Sequence, residues 1–426
     1  MAGEGRAGLK LMRAEAEGRP LLCATTSYPV DITSAEGRFV ALLNHQYARH
    51  GWAPHVLCPA SISSRGGRCP LFGYRLREVA SIGPIFKSGG APDWLQRHPM
   101  RALLSAPPSA LSFIMGGRAL ERSSPGSAKV AHWLVPSPLC FSRVDLAHAH
   151  GGDVALLERL PFGERLAQVM EQRVGGLNFV SQDLKRRFEA LLGRALRVPS
   201  SCLPMGVERP RPCPQEGSRL RALKADKLMI CSVGRLTEIK GHLTLLRALA
   251  RLSDERKGDL LWVVAGSGPL EAQLRSEASR ERVPLLLLGH LPPPSRDALL
   301  QCADLFVLPS LKLGERTEGS PVALMEALSS GCPVLATRAG GVSGLVQPTP
   351  LTALCEPGDP EALSSQLMKL IEVLQRLEPE ELAERRAELE RCGARWRWEA
   401  LGPQHASALQ DACAGRGVSS SPPSRP

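Results

Sequence analysis

The chain has 426 residues, of which 43% are hydrophobic and 22% charged, a composition that excludes wholesale disorder and suits two or three packed domains. Residues 1–205 hold 25 basic and 15 acidic residues, whereas residues 206–426 hold 28 and 27. The basic first half is therefore expected to face an anionic partner such as a phosphate, a nucleic acid or a membrane surface.

The first twenty residues lack the apolar core of a secretory signal, and no stretch of about 18 apolar residues predicts a spanning helix. The twelve cysteines are scattered singly, without the spacing of a metal site or a disulfide framework. We therefore expect reduced thiols, no metal ion and a cytoplasmic protein.

Strands and helices alternate through the first half. Short apolar runs predict strands at 21–24, 53–58, 131–135, 144–148 and 178–180. Amphipathic stretches predict helices at 39–50, 162–173 and 182–192. Residues 61–129 show a less regular pattern with Arg, Pro and Gly.

The second half alternates more cleanly. Its predicted strands are 228–233, 260–265, 284–288, 305–308 and 333–336. Its predicted helices are 242–253, 269–280, 294–302, 321–330 and 361–375. Apolar runs between amphipathic helices predict a parallel sheet covered on both faces.

The fold class predicted is α/β, with two doubly wound, Rossmann-like parallel-sheet domains facing a cleft. The first domain is predicted to span 1–207 and the second 208–390. A helix at 391–412 is expected to pack back on the first domain, and the Ser/Pro-rich tail at 413–426 is expected to be disordered.

Open parallel sheets bind ligands at the carboxyl ends of their strands. Gly234, Arg235 and Lys240 follow the strand at 228–233 and precede a helix, a combination that suits a diphosphate. A solvated charged turn is the alternative. Gly266, after the next strand, fits either a phosphate loop or a simple tight turn.

A third loop leads into the helix at 321–330. Ser320 is predicted to cap that helix and Pro321 to open it, so that Glu318 lies just outside its N-terminus. Glu326 lies in an otherwise apolar helix, where a carboxylate needs hydrogen-bond donors. Sugar hydroxyls could supply these donors, and a structural ion pair is the alternative.

At these residues the sequence resembles retaining, nucleotide-sugar-dependent glycosyltransferases of the group-one type (family four), which have the GT-B architecture. The most specific block is EGSPVALME at 318–326. The resemblance implies that Glu318 contacts the donor sugar and Glu326 the nucleotide ribose. It also implies that the amides around Gly319 and Ser320, where Pro321 opens the helix, approach the sugar or diphosphate.

The same resemblance assigns Arg235 and Lys240 to the diphosphate, beside the loop glycines Gly234 and Gly266. It places the base against the backbone at His290. In the first half it implies that His150 reaches the donor sugar, with Asp153 beside it. Of these residues His150, Glu318, Arg235 and Lys240 are the predicted catalytic group.

Two positions depart from the family pattern. Many members carry Gly-Gly in the first loop, where backbone amides meet the diphosphate, and here Gly37 stands alone in SAEGRF. The family usually has Pro-Glu after the later Gly-Gly pair, whereas this chain has Ser343 and Gly344. The resemblance therefore does not extend to an orienting contact of that glutamate, whereas the central pair of glutamates is kept.

The resemblance implies sugar transfer with retention from a nucleotide sugar to a saccharide or lipid-linked acceptor, without a cofactor. The loop at 311–317 and the HWLVP element at 132–136 resemble those of transferases of bacterial exopolysaccharide and lipopolysaccharide synthesis. Two alternatives are a nucleotide-sugar epimerase and a non-catalytic GT-B scaffold at the membrane surface. A nucleic-acid partner is not expected, because the basic residues lack a stacking aromatic platform.

Residues 61–129 carry ten basic and three acidic residues together with several aromatic ones. We expect this segment to dock peripherally on the anionic inner leaflet, where a lipid-linked acceptor would lie. A solvated basic surface is the alternative.

Overall fold

Two parallel sheets organise the part of the chain that the structure, a computed structural model, describes. The described residues are 18–29, 31, 34, 37–60, 67–79 and 99–415. For residues 99–106 only the backbone is described. The predicted tail beyond residue 415 and parts of the 61–129 segment lie outside them.

The first sheet has seven strands, in the spatial order β3-β2-β1-β4-β5-β6-β7. They are β1 (Arg19–Ala24), β2 (Trp52–Pro59), β3 (Arg75–Val79), β4 (Ala128–His132), β5 (Val144–Ala149), β6 (Val174–Phe179) and β7 (Ser200–Cys202). The helices between them are α1 (Arg38–Arg49), α2 (Pro99–Ser123), α3 (Gly152–Arg159), α4 (Gly163–Gln172) and α5 (Gln182–Leu192).

The second sheet has six strands, in the order β10-β9-β8-β11-β12-β13. They are β8 (Leu228–Val233), β9 (Leu260–Ala265), β10 (Leu285–Gly289), β11 (Leu305–Leu308), β12 (Val334–Thr337) and β13 (Thr352–Cys355). Its helices are α6 (Pro214–Lys224), α7 (His242–Ala250), α8 (Asp254–Gly258), α9 (Glu271–Arg280), α10 (Pro293–Cys302), α11 (Val322–Ser329), α12 (Pro360–Arg376) and α13 (Pro379–Gly393). The last helix of the chain is α14 (Trp398–Ala414).

The strands form where apolar runs can be covered from both sides. All four residues of β11 are buried, as are all four of β12, and the two strands pair in parallel. In each sheet the strand order reverses beside the first strand, between β1 and β4 and between β8 and β11. A reversal of this kind opens a crevice at the carboxyl ends of the strands.

Several elements differ from the sequence-based expectation. β3 reads RLREV, so its charges conceal a strand at the edge of the first sheet. The strand expected at 131–135 is β4 at Ala128–His132. The irregular pattern of 61–129 includes α2, which runs through Pro107 and Pro108. Among the described residues no helix is long and apolar enough to cross a membrane.

The chain divides into two compact units. One comprises Met1–Phe179, Arg187–Leu203 and Gly402–Pro426, and the other comprises Val180–Arg186 and Pro204–Leu401. The division at 203/204 lies four residues from the boundary expected at 207/208. Residues 402–415, the last that the structure describes, group with the first unit.

The helix that carries Glu326 is held by a close backbone approach. A Cβ atom at Gly393, near the end of α13, would lie 2.2 Å from the carbonyl oxygen of Leu328 in α11. A glycine at this position therefore lets α13 press directly on α11.

We predict that Gly393→Ala lowers the free energy of unfolding by about 1–3 kcal/mol, because the new methyl group meets backbone that cannot yield. Gly258→Ala is the control, since a Cβ there meets nothing within 4 Å. In α8 it should be neutral or stabilising by up to about 1 kcal/mol. Equal urea midpoints for both variants would contradict this packing account.

Candidate functional site

Backbone contacts join the loops at the carboxyl edge of the second sheet. The amide of Leu311, after β11, donates to the carbonyl of Ile239, after β8, at 2.8 Å. The amide of Gly341, after β12, donates to the carbonyl of Glu318 at 2.9 Å. The loops that follow three neighbouring strands therefore hold each other in place.

Two glycines allow these loops to approach closely. Gly266 has φ 152°, and a Cβ there would lie 1.8 Å from the carbonyl oxygen of Gly234. A Cβ at Gly341 would lie 1.9 Å from the carbonyl oxygen of Gly319. Only glycine fits at either position, so the turn alternative explains Gly266 without a ligand.

Lys240 and Glu318 form an ion pair. Lys240 Nζ lies 2.6 Å from Glu318 Oε1, and Ser310 Oγ donates to the same oxygen at 2.7 Å. Burial raises the pKa of Glu318, but Lys240, Ser310 and Arg235 outweigh it and hold the pKa below its usual range. Glu318 is therefore ionised at neutral pH. The predicted diphosphate cation and the predicted sugar carboxylate are in direct contact.

Arg235 is more exposed to solvent than Lys240. It is exposed at the end of β8, and its charge contributes to the lowered pKa of Glu318. The edge of the sheet thus carries one half-buried, paired cation and one exposed cation close to the same carboxylate. Two cations at a strand end provide the charge that a diphosphate requires.

Glu326 has a partner that the sequence did not reveal. Arg296, in α10, places Nη1 2.8 Å from Glu326 Oε1 and Nη2 2.9 Å from Asp297 Oδ1. Burial lowers the pKa of Arg296, but the two carboxylates outweigh it and raise that pKa. The structural ion pair named as the alternative is therefore present, and the contact of Glu326 with sugar hydroxyls stays a prediction. No motif marks Arg296, which is 30 residues away along the chain.

The start of α11 also differs from the prediction. The helix begins at Val322, and Pro321 is its N-cap residue with φ −71° and ψ 106°. Ser320 does not cap the helix, because its Oγ donates to Met325 Sδ at 3.8 Å. No side chain caps α11, so its first amides remain available to an anion at this end of the helix.

The remaining predicted residues of this edge lie at successive strand ends. The amide of Gly234, after β8, donates to Ala265 at 2.9 Å, and the amide of Gly266, after β9, donates to Gly289 at 2.7 Å. His290 is exposed directly after β10. Its contact with a nucleotide base stays a prediction.

In the first domain, Asp153 ties two loops together. Its Oδ2 accepts from the amide of Leu134 at 2.9 Å, and its Oδ1 accepts from Gly151 and Val154 at 2.8 and 3.1 Å. Burial raises its pKa. Because backbone amides occupy both carboxylate oxygens, the structure supports a role for Asp153 in positioning the loops that follow β4 and β5.

His150 follows β5 and is half-buried among other rings. Trp133 and Phe39 lie 4.7 and 4.9 Å away between ring centroids, and His132 Nδ1 lies 3.0 Å from His150 Nε2. Burial lowers the pKa of His150 to about 3, so its ring is neutral at pH 7.

Gly37 is linked to this ring group through Phe39. It is the N-cap residue of α1 with φ 66°, and a Cβ there would lie 2.5 Å from Tyr28 Cα. The residue must therefore be glycine for α1 to start beside Tyr28. The first domain brings together Gly37, His150 and Asp153 at the ends of β1 and β5.

Residues 218–388 match the family described as glycosyl transferases, group 1. The second domain is therefore similar to the group 1 glycosyl transferases over most of its length. The predicted family resemblance is confirmed there, and the matched residues include Arg235, Lys240, Glu318 and Glu326.

The chain is also similar in sequence to individual glycosyltransferases. Amylovoran biosynthesis glycosyltransferase AmsK of Erwinia amylovora is 35% identical over 155 residues, which are 36% of this chain and 38% of that protein. A GDP-mannose-dependent alpha-(1-6)-phosphatidylinositol monomannoside mannosyltransferase of Mycobacterium tuberculosis is 26% identical over 359 residues, 80% of this chain and 91% of that protein. The chain thus spans about two-fifths of the first relative and most of the second.

The first domain is covered by similarity of fold. Anabaena Alr3699/HepE, solved in complex with UDP and glucose, matches 92% of this chain and 100% of its own, with a TM-score of 0.63 and 16% identity. The predicted fold class of two doubly wound parallel-sheet domains is confirmed.

We predict that Glu318→Gln destabilises the protein by about 1–3 kcal/mol at pH 7, because Lys240 loses its counter-charge. A lowered folded-state pKa stabilises above the unfolded pKa of about 4.3, and this contribution is lost as the pH falls through the folded value. The difference from wild type should therefore shrink in urea titrations below about pH 4.

Glu388→Gln is the matched control, since Glu388 is exposed and shows no ion pair among the described residues. It should leave the unfolding free energy within about 0.5 kcal/mol at both pH values. A Glu318→Gln effect of equal size at pH 7 and pH 3 would show that the carboxylate charge is not what stabilises the site.

Proposed function

We propose that the protein is a glycosyltransferase that takes a sugar from a nucleotide-sugar donor and transfers it, with retention, to a saccharide or lipid-linked acceptor. The contact between Lys240 and Glu318 carries this proposal, because it places a cation and a carboxylate at one strand-end site inside a group 1 domain. A nucleotide sugar has a matching diphosphate and sugar beside each other.

The diphosphate would bind at the cationic side of this pair. Lys240 supplies a compact charge, Arg235 a planar fork, and the uncapped start of α11 adds amide donors. These groups would stabilise the negative charge that develops as the nucleoside diphosphate leaves. The same charges make a bound metal or another cofactor unnecessary for this step.

The sugar would bind at the carboxylate side. Glu318 is held ionised and is acceptor-only, so it can receive hydrogen bonds from sugar hydroxyls. The backbone of Gly319 lies against Gly341, which leaves the segment after Glu318 fixed in position. Glu326 would meet the ribose while Arg296 holds its carboxylate.

Retention follows from the family resemblance, and no enzymic nucleophile is assigned. In this reaction the bond from the anomeric carbon to the diphosphate breaks, the acceptor oxygen attacks from the same face, and the proton of the acceptor hydroxyl passes to the departing diphosphate oxygen. His150 of the first domain would contact the donor sugar, because the family pattern places it there. Its low pKa makes it a neutral hydrogen-bonding group and not a proton donor of the imidazolium kind.

The acceptor would be presented at the cytoplasmic face of a membrane. On α2, Leu111 and Met115 are 58% and 62% exposed and lie one turn apart. Arg118 and Arg122 continue the same side of the helix. An exposed apolar pair followed by cations is the pattern that binds an anionic lipid surface. Residues 61–66 and 80–98 of the expected docking segment lie outside the described residues.

We predict that Lys240→Met lowers kcat for sugar transfer by about 10²- to 10³-fold, the usual cost of one lost transition-state charge contact. Lys227→Met is the control, because Lys227 is exposed on the same domain and should retain full activity. Circular dichroism would show that both variants are folded. Full activity of Lys240→Met would exclude the proposed site. Turnover of the donor without an acceptor, to an isomer, would indicate an epimerase instead.

We predict that the double variant Leu111→Ser/Met115→Ser lowers co-sedimentation with phosphatidylglycerol vesicles at least about tenfold, because two apolar side chains no longer enter the lipid. Phe162→Ser is the control, since Phe162 is 55% exposed elsewhere in the same domain. Binding that is unchanged in the double variant, or equal for neutral vesicles, would contradict docking through α2.

A further inference from the structure

Three histidine rings lie close together at the ends of β4 and β5. The rings of His132 and His148 lie 4.8 Å apart between centroids, and those of His132 and His150 lie 5.3 Å apart, each pair tilted by 14°. His132 and His148 are fully buried. The third ring, that of His150, is half-buried. His132 was not among the predicted site residues.

The proton of His148 can be placed from its partners. The amide of Leu203 donates to Asn178 Oδ1 at 3.0 Å, which fixes Asn178 Nδ2 as a donor. That Nδ2 lies 3.1 Å from His148 Nδ1, so His148 Nδ1 accepts. Neutral His148 therefore carries its proton on Nε2 and donates to Tyr47 Oη at 3.0 Å.

The proton of His132 can be placed in the same way. Burial lowers its pKa well below the usual range, so the ring is neutral and has one N–H. Its Nδ1 lies 3.0 Å from His150 Nε2, while its Nε2 is buried without a hydrogen-bond partner. A buried N–H without an acceptor costs more than a buried lone pair without a donor. The proton therefore lies on Nδ1 of His132.

We propose that His132 is a positioning residue that donates to His150 Nε2 and thereby fixes His150 as the Nδ1–H tautomer. The reason is that an Nε2 that accepts cannot itself carry the proton of a neutral ring. Among the described residues no hydrogen bond involves His150 Nδ1, and the ring is half-buried. His150 thus presents an N–H donor, and not a base, at its open edge.

The ligand of this N–H follows from the proposed function, on which that part of the inference rests. A donor group at His150 would bind an oxygen of the donor sugar as an acceptor. The tautomer itself is a property of the free protein. It can be tested without a substrate.

The test is the tautomer of His150 in the unliganded protein, read from ¹⁵N chemical shifts of selectively labelled histidine at pH 7. A His150→Gln variant assigns the signals by their loss. We expect a protonated Nδ1 and a bare Nε2 in wild-type protein. A bare Nδ1 with a protonated Nε2 would overturn the inference, whatever the activity of the enzyme.

Two nearly isosteric substitutions extend the test. In His132→Asn the side-chain amide still offers a donor, and His150 should keep its Nδ1–H tautomer and most of kcat/KM. In His132→Asp only acceptors remain, so His150 should move its proton to Nε2 and kcat/KM should fall about tenfold, as expected for one lost hydrogen bond. An unchanged tautomer in folded His132→Asp would overturn the role of His132. If His132→Asp does not fold, the wild-type spectrum still decides.

Discussion

The ionised, buried carboxylate of Glu318 is the group on which the site of the second domain depends. A charge at this position is stable only if donors and a counter-charge surround it, and Lys240 and Ser310 do so. These partners come from loops after β8 and β11, so the backbone contacts between those loops are a condition for the charge. A Cβ atom at Gly241 would lie 1.8 Å from the carbonyl oxygen of Pro309, so the glycine that lets these two loops touch also supports the charge.

In the first domain, the side chains at the ends of β4 and β5 that interact with one another are mostly neutral. The carboxyl ends of β4 and β5 carry neutral histidine rings, and the buried carboxylate of Asp153 beside them accepts hydrogen bonds from backbone amides. The positive charge of residues 1–205 therefore belongs to other parts of that half, among them the exposed side of α2.

The sequence predicted what is local and repetitive. Apolar runs located β8, β9 and β11, and the block at 318–326 located the site and its family. It could not reveal that Lys240 and Glu318 touch, because they are 78 residues apart and only the parallel pairing of β8 with β11 brings them together. Arg296 and His132 were not predicted as site residues for the same reason, since each acts through a partner on another element. β3 and α2 were not predicted, because charged residues interrupt the apolar run of β3 and two prolines interrupt the helical pattern of α2.

The central claim is that Lys240 and Glu318 divide the donor between them, with the diphosphate on the cation and the sugar on the carboxylate. Isothermal titration with a nucleoside diphosphate and with its nucleotide sugar tests it most directly. Glu318→Gln should weaken the nucleotide sugar about tenfold, the value of a charge-assisted hydrogen bond, and leave the nucleoside diphosphate within about twofold. Equal weakening of both ligands by Glu318→Gln would contradict the account.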